Sequence, residues 1–305
     1  MDISKVMEDL QGLVPDGVVK SRESLKSHVF TQMGGQADIL TVPATYEEFQ
    51  NIVIYAHEHD VPLTVLGNGS NVIIRDGGVR GIVLQTYGLS GMEIQDGQML
   101  HAQCGAKIID ASRFALENSL AGLEFACGIP GTVGGALYMN AGAYGGDISH
   151  VLHSALVLSQ EGQMLTLEGE GLQWGYRTSI FASGNYIVLE ARFLLTSGVH
   201  EEIKVTMDQL TELRESKQPL EFPSCGSVFK RPPGRFAGQL IQDSGLQGTR
   251  IGGAEVSTKH AGFIVNADHA TATDYIGLIH HVRATVKEKF GIELETEVKI
   301  IGEEE

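Results

Sequence analysis

The sequence predicts an α+β protein of two or three domains. Three observations lead there. The chain has 305 residues, more than one domain of about 100–200 residues would hold. Helical and strand-like hydrophobic periods both recur along it. Its 38 glycines show no collagen-like period, so they sit where backbone must bend sharply or approach something closely.

Composition narrows the class. A hydrophobic content of 42% can bury a real core and argues against disorder. The formal charge of −16 argues against a nucleic-acid partner, because phosphate binding needs clustered cations. Cys104, Cys127 and Cys225 are widely spaced and odd in number, which fits neither a disulfide framework nor a CxxC metal site. A reduced, cytoplasmic setting is the simple expectation. No signal peptide and no run of 18 apolar residues is visible, so no membrane insertion is expected. His57-Glu58-His59 and His280-His281 lack HExxH spacing, and no metal site is expected. Nothing marks an obligate protein partner.

The elements follow in order. Residues 1–30 read as a short amphipathic helix and a linker. A helix fits Tyr46–Glu58, with Thr45 and Glu48 as a capping box and Phe49, Ile52, Val53 and Ala56 on one face. Pro62–Leu66 reads as a strand running into Gly67-Asn68-Gly69-Ser70-Asn71. Val72–Arg75 and Gly81–Gln85 read as strands around the turn Asp76-Gly77-Gly78. Ile108–Glu117 has helical spacing. Gly128 to Gly146 then holds seven glycines in nineteen residues, with a short helix expected at Thr132–Met139. Strands are expected at Ser154–Ser159, Met164–Leu167 and Tyr186–Leu195. The texture changes near residue 200. Glu201–Lys217 and Phe236–Asp243 read as helices, Ala254–Ser257 and Ala261–Asn266 as strands. A helix over Ala272–Phe290 opens on a Thr271…Asp274 capping box and stops at Gly291. Ile292–Ile301 alternates apolar and charged residues and reads as a last strand.

The two glycine-rich loops suggest chemistry. Successive backbone N–H groups in tight turns form a nest that binds an anion without any cation. The first loop breaks the G-x-G-x-x-G pattern, because Val72 stands where its third glycine belongs. A glycine-rich turn entering the helix at Thr132–Met139 would aim further N–H groups at phosphate. The plain alternatives are a tight turn for the first loop and close helix-on-strand packing for the second.

The run Leu66–Asn71 resembles the pyrophosphate loop of the vanillyl-alcohol-oxidase (PCMH) type of FAD domain. Gly128-Ile129-Pro130-Gly131-Thr132-Val133-Gly134-Gly135 and Asn140-Ala141-Gly142-Ala143-Tyr144-Gly145 are similar to one branch of it, the UDP-N-acetylenolpyruvoylglucosamine reductases. The likeness continues through Tyr176–Phe181, Cys225–Pro232, Ile251–Ala254, His260–Asn266 and Leu294–Val298, covering roughly 28–302. Only Ala182–Asn185 follows the Tyr-Arg motif before the next strand, so the chain resembles the shorter, type II form.

The resemblance implies a two-subdomain FAD-binding region over about 1–200, its core near 31–197, and a C-terminal substrate domain over 201–305. The last strand, about 292–301, is expected to return to the first subdomain. Implied cofactor contacts are Leu66, Gly67, Asn68, Gly69, Ser70 and Asn71 in the first loop. In the second they are Gly128, Pro130, Gly131, Val133, Gly134, Gly135, Asn140, Gly142, Ala143 and Gly146. Asn68, Ser70 and Asn71 stand where covalent relatives carry His or Cys, so the FAD is expected to be non-covalent. The implied reaction uses NADPH to reduce UDP-N-acetylglucosamine enolpyruvate to UDP-N-acetylmuramate, a peptidoglycan precursor. Arg177 is implied as the cation on the substrate carboxylate and Ser227 as proton donor; Glu297 is implied either to polarise the enolpyruvyl group or to orient and share a proton with the serine–water relay. A surface ion pair, a turn cap and a solvated strand carboxylate are their respective alternatives. Tyr176, in the Tyr-Arg motif, is a candidate for substrate contact; so are Lys217 and Arg235, because residues 214–235 carry five cations against two acids. The rival functions are another PCMH-type oxidoreductase, acting on a lactone, alcohol or 2-hydroxy acid, and a nucleotide-sugar or flavin-binding module without turnover.

Overall fold

The computed structural model describes residues 2–304. The chain divides into two compact units that interleave in sequence. The first contains the N-terminal segment through Ser21, then Ile39–Asn68 and Gly81–Arg214. The second contains Arg22–Asp38, Gly69–Arg80 and the chain from Glu215 on.

In the first unit, a five-stranded antiparallel sheet runs in the order Met164–Glu168, Leu152–Leu158, Ile187–Leu194, Met99–Gln103, Met92–Gln95. A four-stranded sheet runs in the order Val18–Ser21, Ala37–Val42, Val79–Gln85, Leu63–Leu66. Its last two strands are parallel, so Leu66 and Gln85 finish side by side and Gly67 begins the first loop. Helices Tyr46–Glu58 and Ile108–Glu117 have the expected bounds. They bury Phe49, Ile52, Val53, Ile108 and Ala111 in a core shared with Phe181 and Phe193. Thr45 caps the first of these helices through the Glu48 N–H, but the Glu48 carboxylate does not return the bond. It is buried and accepts from the N–H groups of Asp16 and Ala44, each at 2.7 Å. The expected box is therefore half formed, because two other orphan donors claim its acid.

The second unit carries a four-stranded antiparallel sheet in the order Ser224–Ser227, Phe263–Asn266, Ala254–Val256, Arg250–Ile251. Helix Ala272–Phe290 buries Tyr275, Leu278, Ile279 and Val282 in this unit's core. Its Thr271–Asp274 box is complete, and Gly291 ends it in the left-handed region at φ +68°.

The strands on either side of the turn Asp76-Gly77-Gly78 form as expected and take different partners: Val72–Ile74 runs parallel to Lys299–Ile301, and Val79–Gln85 runs parallel to Leu63–Leu66. Two expectations need correction. The last strand is Lys299–Ile301 only. Residues 292–298 bury Leu294 and Val298 but form no ladder; Thr296 makes a single bridge with Phe229. Finally, the strands Val18–Ser21, Ala37–Val42, Met92–Gln95, Met99–Gln103 and Ser224–Ser227 were not expected.

Candidate functional site

Within the first unit, the start of the first loop is held against the second loop. A Cβ on Gly67 would lie 2.4 Å from the Thr132 Oγ1, so glycine lets the two chains touch. Beside it, Asn68 donates its side-chain N–H to the Pro130 carbonyl at 2.6 Å. Leu66, the last strand residue, is 2% exposed and anchors the turn from below.

The two loops differ in how many of their backbone N–H groups are hydrogen-bonded within the chain. Among the described residues, the N–H groups of Asn68, Gly69, Ser70 and Asn71 have no acceptor, nor do those of Gly128 and Gly131. Four such donors in succession, on half-buried chain, fit the anionic diphosphate of a dinucleotide. The helix in the second loop behaves otherwise. It spans Val133–Tyr138, and its first N–H groups are taken within the chain. Val133 donates to the Ala106 carbonyl, Gly134 to the Cys104 carbonyl and Gly135 to the Thr132 hydroxyl. The expectation that this helix start aims its N–H groups at phosphate is therefore corrected. Gly134 serves packing instead: its Cβ would sit 3.1 Å from that of Cys104.

The rest of the second loop is braced by Asn140, a buried residue at φ +42°. Its Oδ1 accepts from the Ser149 N–H, and its Nδ2 donates to the Gly175 carbonyl. Gly142-Ala143 and Gly146-Asp147 pair as a minimal hairpin, with Tyr144 and Gly145 in the turn at φ +54° and +91°. Gly175 belongs to a second hairpin, Trp174–Gly175 against Thr178–Ser179, whose turn is Tyr176-Arg177. Arg177 lies at φ +55°, a region that favours glycine. Its guanidinium donates to the Gly142 carbonyl at 3.2 Å and stands 5.4 Å from the Tyr176 ring centre. Tyr176 is 58% exposed.

Sequence reasoning counted Arg214 merely as part of a local charge excess. Its side chain lies on Gly128, where a Cβ would be 2.6 Å from the Arg214 Cδ. Burial lowers the guanidinium's pKa, and the Tyr144 phenol beside it acts in the opposite sense. The bare Cα of Gly128 was the available signal for this contact.

In the second unit, Ser227 ends the strand Ser224–Ser227 and is exposed. The strand's register slips between Ser224 and Ser227, where Gly226 adopts φ +76°. Such a bulge re-aims the following side chain. Glu297 is bound beside it: its N–H donates to the carbonyl of Val228, the next residue after Ser227, at 2.8 Å. On the other side of the same residue, Asn71 Nδ2 donates to the Glu297 carbonyl at 3.3 Å. Hydrogen bonds thus link Asn71, Glu297 and Val228, the residue next to Ser227. Lys217 ends the helix His200–Lys217, and Arg235 precedes the helix Ala237–Asp243; both are exposed or half-exposed. The positive stretch does not act as one body. Lys230 pairs with Glu295 at 3.2 Å, and the Arg231 guanidinium covers the Phe236 ring at 3.9 Å. Cys225 is buried against the Tyr275 hydroxyl, and burial pushes its thiol up to about 12, which suits a packing residue and not a nucleophile.

Comparison with known proteins agrees with this layout. Residues 37–168 match the family described as "FAD binding domain". Residues 218–301 match "UDP-N-acetylenolpyruvoylglucosamine reductase, C-terminal domain". The chain is 60% identical over 304 residues to UDP-N-acetylenolpyruvoylglucosamine reductase 2 of Bacillus cereus, covering 100% of this chain and 99% of that protein. It is 62% identical over 294 residues to the reductase of Exiguobacterium sibiricum, covering 96% of each. The crystal structure of UDP-N-acetylenolpyruvylglucosamine reductase (MurB) from Thermus caldophilus superimposes with a TM-score of 0.80 at 33% identity, over 94% of this chain and 100% of that one. Near-complete coverage on both sides at this identity leads to one conclusion: the chain belongs to the UDP-N-acetylenolpyruvoylglucosamine reductase family.

Proposed function

We propose that the chain is an FAD-dependent, NADPH-consuming reductase that converts UDP-N-acetylglucosamine enolpyruvate to UDP-N-acetylmuramate for peptidoglycan synthesis. The observation that carries this is the full-length 60% identity to a named reductase of that substrate. It favours this reading over an oxidase of lactones or 2-hydroxy acids, and over a binding module without turnover. When bound, the flavin supplies hydride transfer from NADPH to the enolpyruvyl group.

The chain's residues would do the rest. The N–H groups of Asn68 to Asn71 hold the cofactor diphosphate non-covalently. Arg177 takes the substrate carboxylate, where its planar fork suits bidentate binding. As hydride arrives at the terminal carbon, charge moves toward that carboxylate, and a fixed cation stabilises it. Ser227 Oγ then gives its proton to the adjacent carbon. A serine hydroxyl is a weak acid, so this step depends on the charge already built up there. Glu297 orients and resupplies the Ser227 proton. Lys217, Arg235 and Tyr176 serve the UDP portion. Nucleotide cosubstrates and three buried free cysteines suit a cytoplasmic location.

Visible spectroscopy tests the reading. The purified protein should show oxidised flavin that NADPH bleaches and the enolpyruvyl nucleotide sugar restores, without oxygen. The colour should leave the protein on acid precipitation. Restoration by oxygen alone, with no response to the sugar, would reject the reductase assignment. In Ser227→Ala, bleaching should persist while restoration collapses; equal loss of both would reject the proton-donor role.

A further inference from the structure

We infer that Asn71 is a positioning residue for Glu297, tying the cofactor loop to the proton-transfer residues through its side chain. This deepens the proposed function and rests on its assignment of Glu297. Three bonds carry the inference, all within the second unit. The Asn71 amide Nδ2 donates to the Glu297 carbonyl at 3.3 Å. The Asn71 carbonyl accepts from the Lys299 N–H at 3.0 Å, which starts the parallel pairing of Val72–Ile74 with Lys299–Ile301. The Glu297 N–H donates to Val228, the neighbour of Ser227.

Glu297 needs this help because of where it lies. Residues 292–298 have no continuous ladder, so the strand that would normally fix a side chain is missing. The peptide of Glu297 is held from two sides instead, by Val228 at its N–H and by Asn71 at its carbonyl. The two functions of Asn71 are carried by different atoms. Its backbone N–H continues the series Asn68–Asn71 without an acceptor among the described residues, and its side chain faces the chain's own carbonyl. An anion bound by the loop therefore stiffens the same residue that holds Glu297. Small displacements of a catalytic group cost rate steeply, up to about 10²-fold for about 1 Å.

The test compares wild type with Asn71→Ala and Asn71→Gln, each with and without FAD, by hydrogen exchange and half-reaction kinetics. In holo Asn71→Ala, exchange of the peptide covering 294–298 should rise about tenfold. Substrate-driven flavin reoxidation should fall about tenfold or more. FAD affinity and flavin reduction by NADPH should fall less than reoxidation does, because the backbone N–H is retained. Asn71→Gln, which keeps an amide donor, should recover part of both losses. A tenfold loss of FAD affinity with unchanged exchange at 294–298 would overturn the inference and make the side chain a cofactor ligand. Equal losses in Asn71→Ala and Asn71→Gln would also overturn it. Glu297→Gln is measured alongside. If that variant reoxidises normally, the proposed role of Glu297 falls, while exchange at 294–298 still decides the Asn71 contact.

Discussion

Replacing Arg177 by glycine should separate its catalytic value from its structural value. Arg177 sits at φ +55°, and a non-glycine residue there costs about 1–2 kcal/mol. Glycine relieves that strain. It also brings extra freedom to the unfolded chain, which takes back about 0.5–1 kcal/mol. Loss of the bond to the Gly142 carbonyl removes about 1 kcal/mol more. These terms nearly cancel, so the variant should lie within about 1 kcal/mol of wild type. For a chain of this size that is a shift in Tm of about 2–4 °C at most. The rate should respond very differently. Removing a fixed cation from a developing charge costs about 10²-fold or more, or at least about 2.7 kcal/mol of barrier. Differential scanning fluorimetry gives the first quantity and stopped-flow reoxidation of reduced enzyme by the enolpyruvyl substrate gives the second. Arg177→Lys should keep the strain and the charge but lose the fork, with intermediate rates. A Tm drop of about 8 °C or more in Arg177→Gly, with reoxidation within about threefold of wild type, would make Arg177 a structural residue with no part in charge stabilisation.

Gly67→Ala drives a Cβ to 2.4 Å from the buried Thr132 hydroxyl that caps the neighbouring helix. Strain and cap loss together should cost about 2 kcal/mol and weaken FAD binding at least about tenfold; an unchanged Kd in a flavin titration would place the cofactor elsewhere. Asp76 accepts from Ala272 N, Thr273 N and the Thr273 hydroxyl at the start of the last long helix. Burial pushes its carboxyl upward, but bonds from the Thr273 hydroxyl and the Ala272 and Thr273 N–H groups outweigh this, and its pKa is lowered. Its stabilisation is thus complete above the unfolded value of about 4 and fades as pH falls through the lower folded value. Asp76→Ala should cost about 1 kcal/mol at neutral pH by denaturant titration, with the gap from wild type closing below about pH 4. Burial lowers the pKa of His260, whose Nδ1 is bonded to the Gly262 N–H. Its neutral form is favoured in the fold, so stability should be full above about pH 6.5 and decline as pH falls through the lower folded value. His260→Gln should flatten that decline, and parallel stability–pH curves for the two proteins would dismiss the effect.

Helices were legible where local chemistry marked their ends. Tyr46–Glu58 follows a capping threonine, and Ala272–Phe290 runs from a complete capping box to a left-handed glycine. The strands Met92–Gln95 and Met99–Gln103 carried a signal too. Met92 and Ile94 alternate with Glu93 and Gln95, and Asp96-Gly97 supplies a hairpin turn at φ +50° and +74°. Short, half-exposed strands simply leave a faint hydrophobic pattern. The tail misled for the opposite reason. From Ile292 to Ile301 alternation is strong, because Leu294 and Val298 are buried. Alternation reports which side chains face the core and not whether the backbone has a neighbour to pair with. Here the backbone makes single bonds with Val228, Lys230 and Asn71 before its ladder begins at Lys299.

Glycine was the main clue to the site, and the structure shows that it carried two meanings. At Gly67, Gly69, Gly128 and Gly134 the missing Cβ makes room for the chain itself, for Thr132, His28 and Val29, Arg214 and Cys104 respectively. None of these contacts needs a ligand. At Gly145 and Gly226 the space is open and the left-handed backbone sets the local turn. A count of glycines cannot separate these cases, since bare backbone looks the same in sequence whatever lies against it. The decisive quantity is the fate of each N–H. Those of Val133, Gly134 and Gly135 are spent on the fold, whereas those of Asn68 to Asn71 have no acceptor among the described residues. That difference rests on Ala106 and Cys104, residues remote in sequence from the loop. On the function proposed, a chain of net charge −16 would seat a diphosphate without a lysine or arginine in the first loop. Backbone N–H groups without an acceptor would supply the positive field, and they leave no trace in composition.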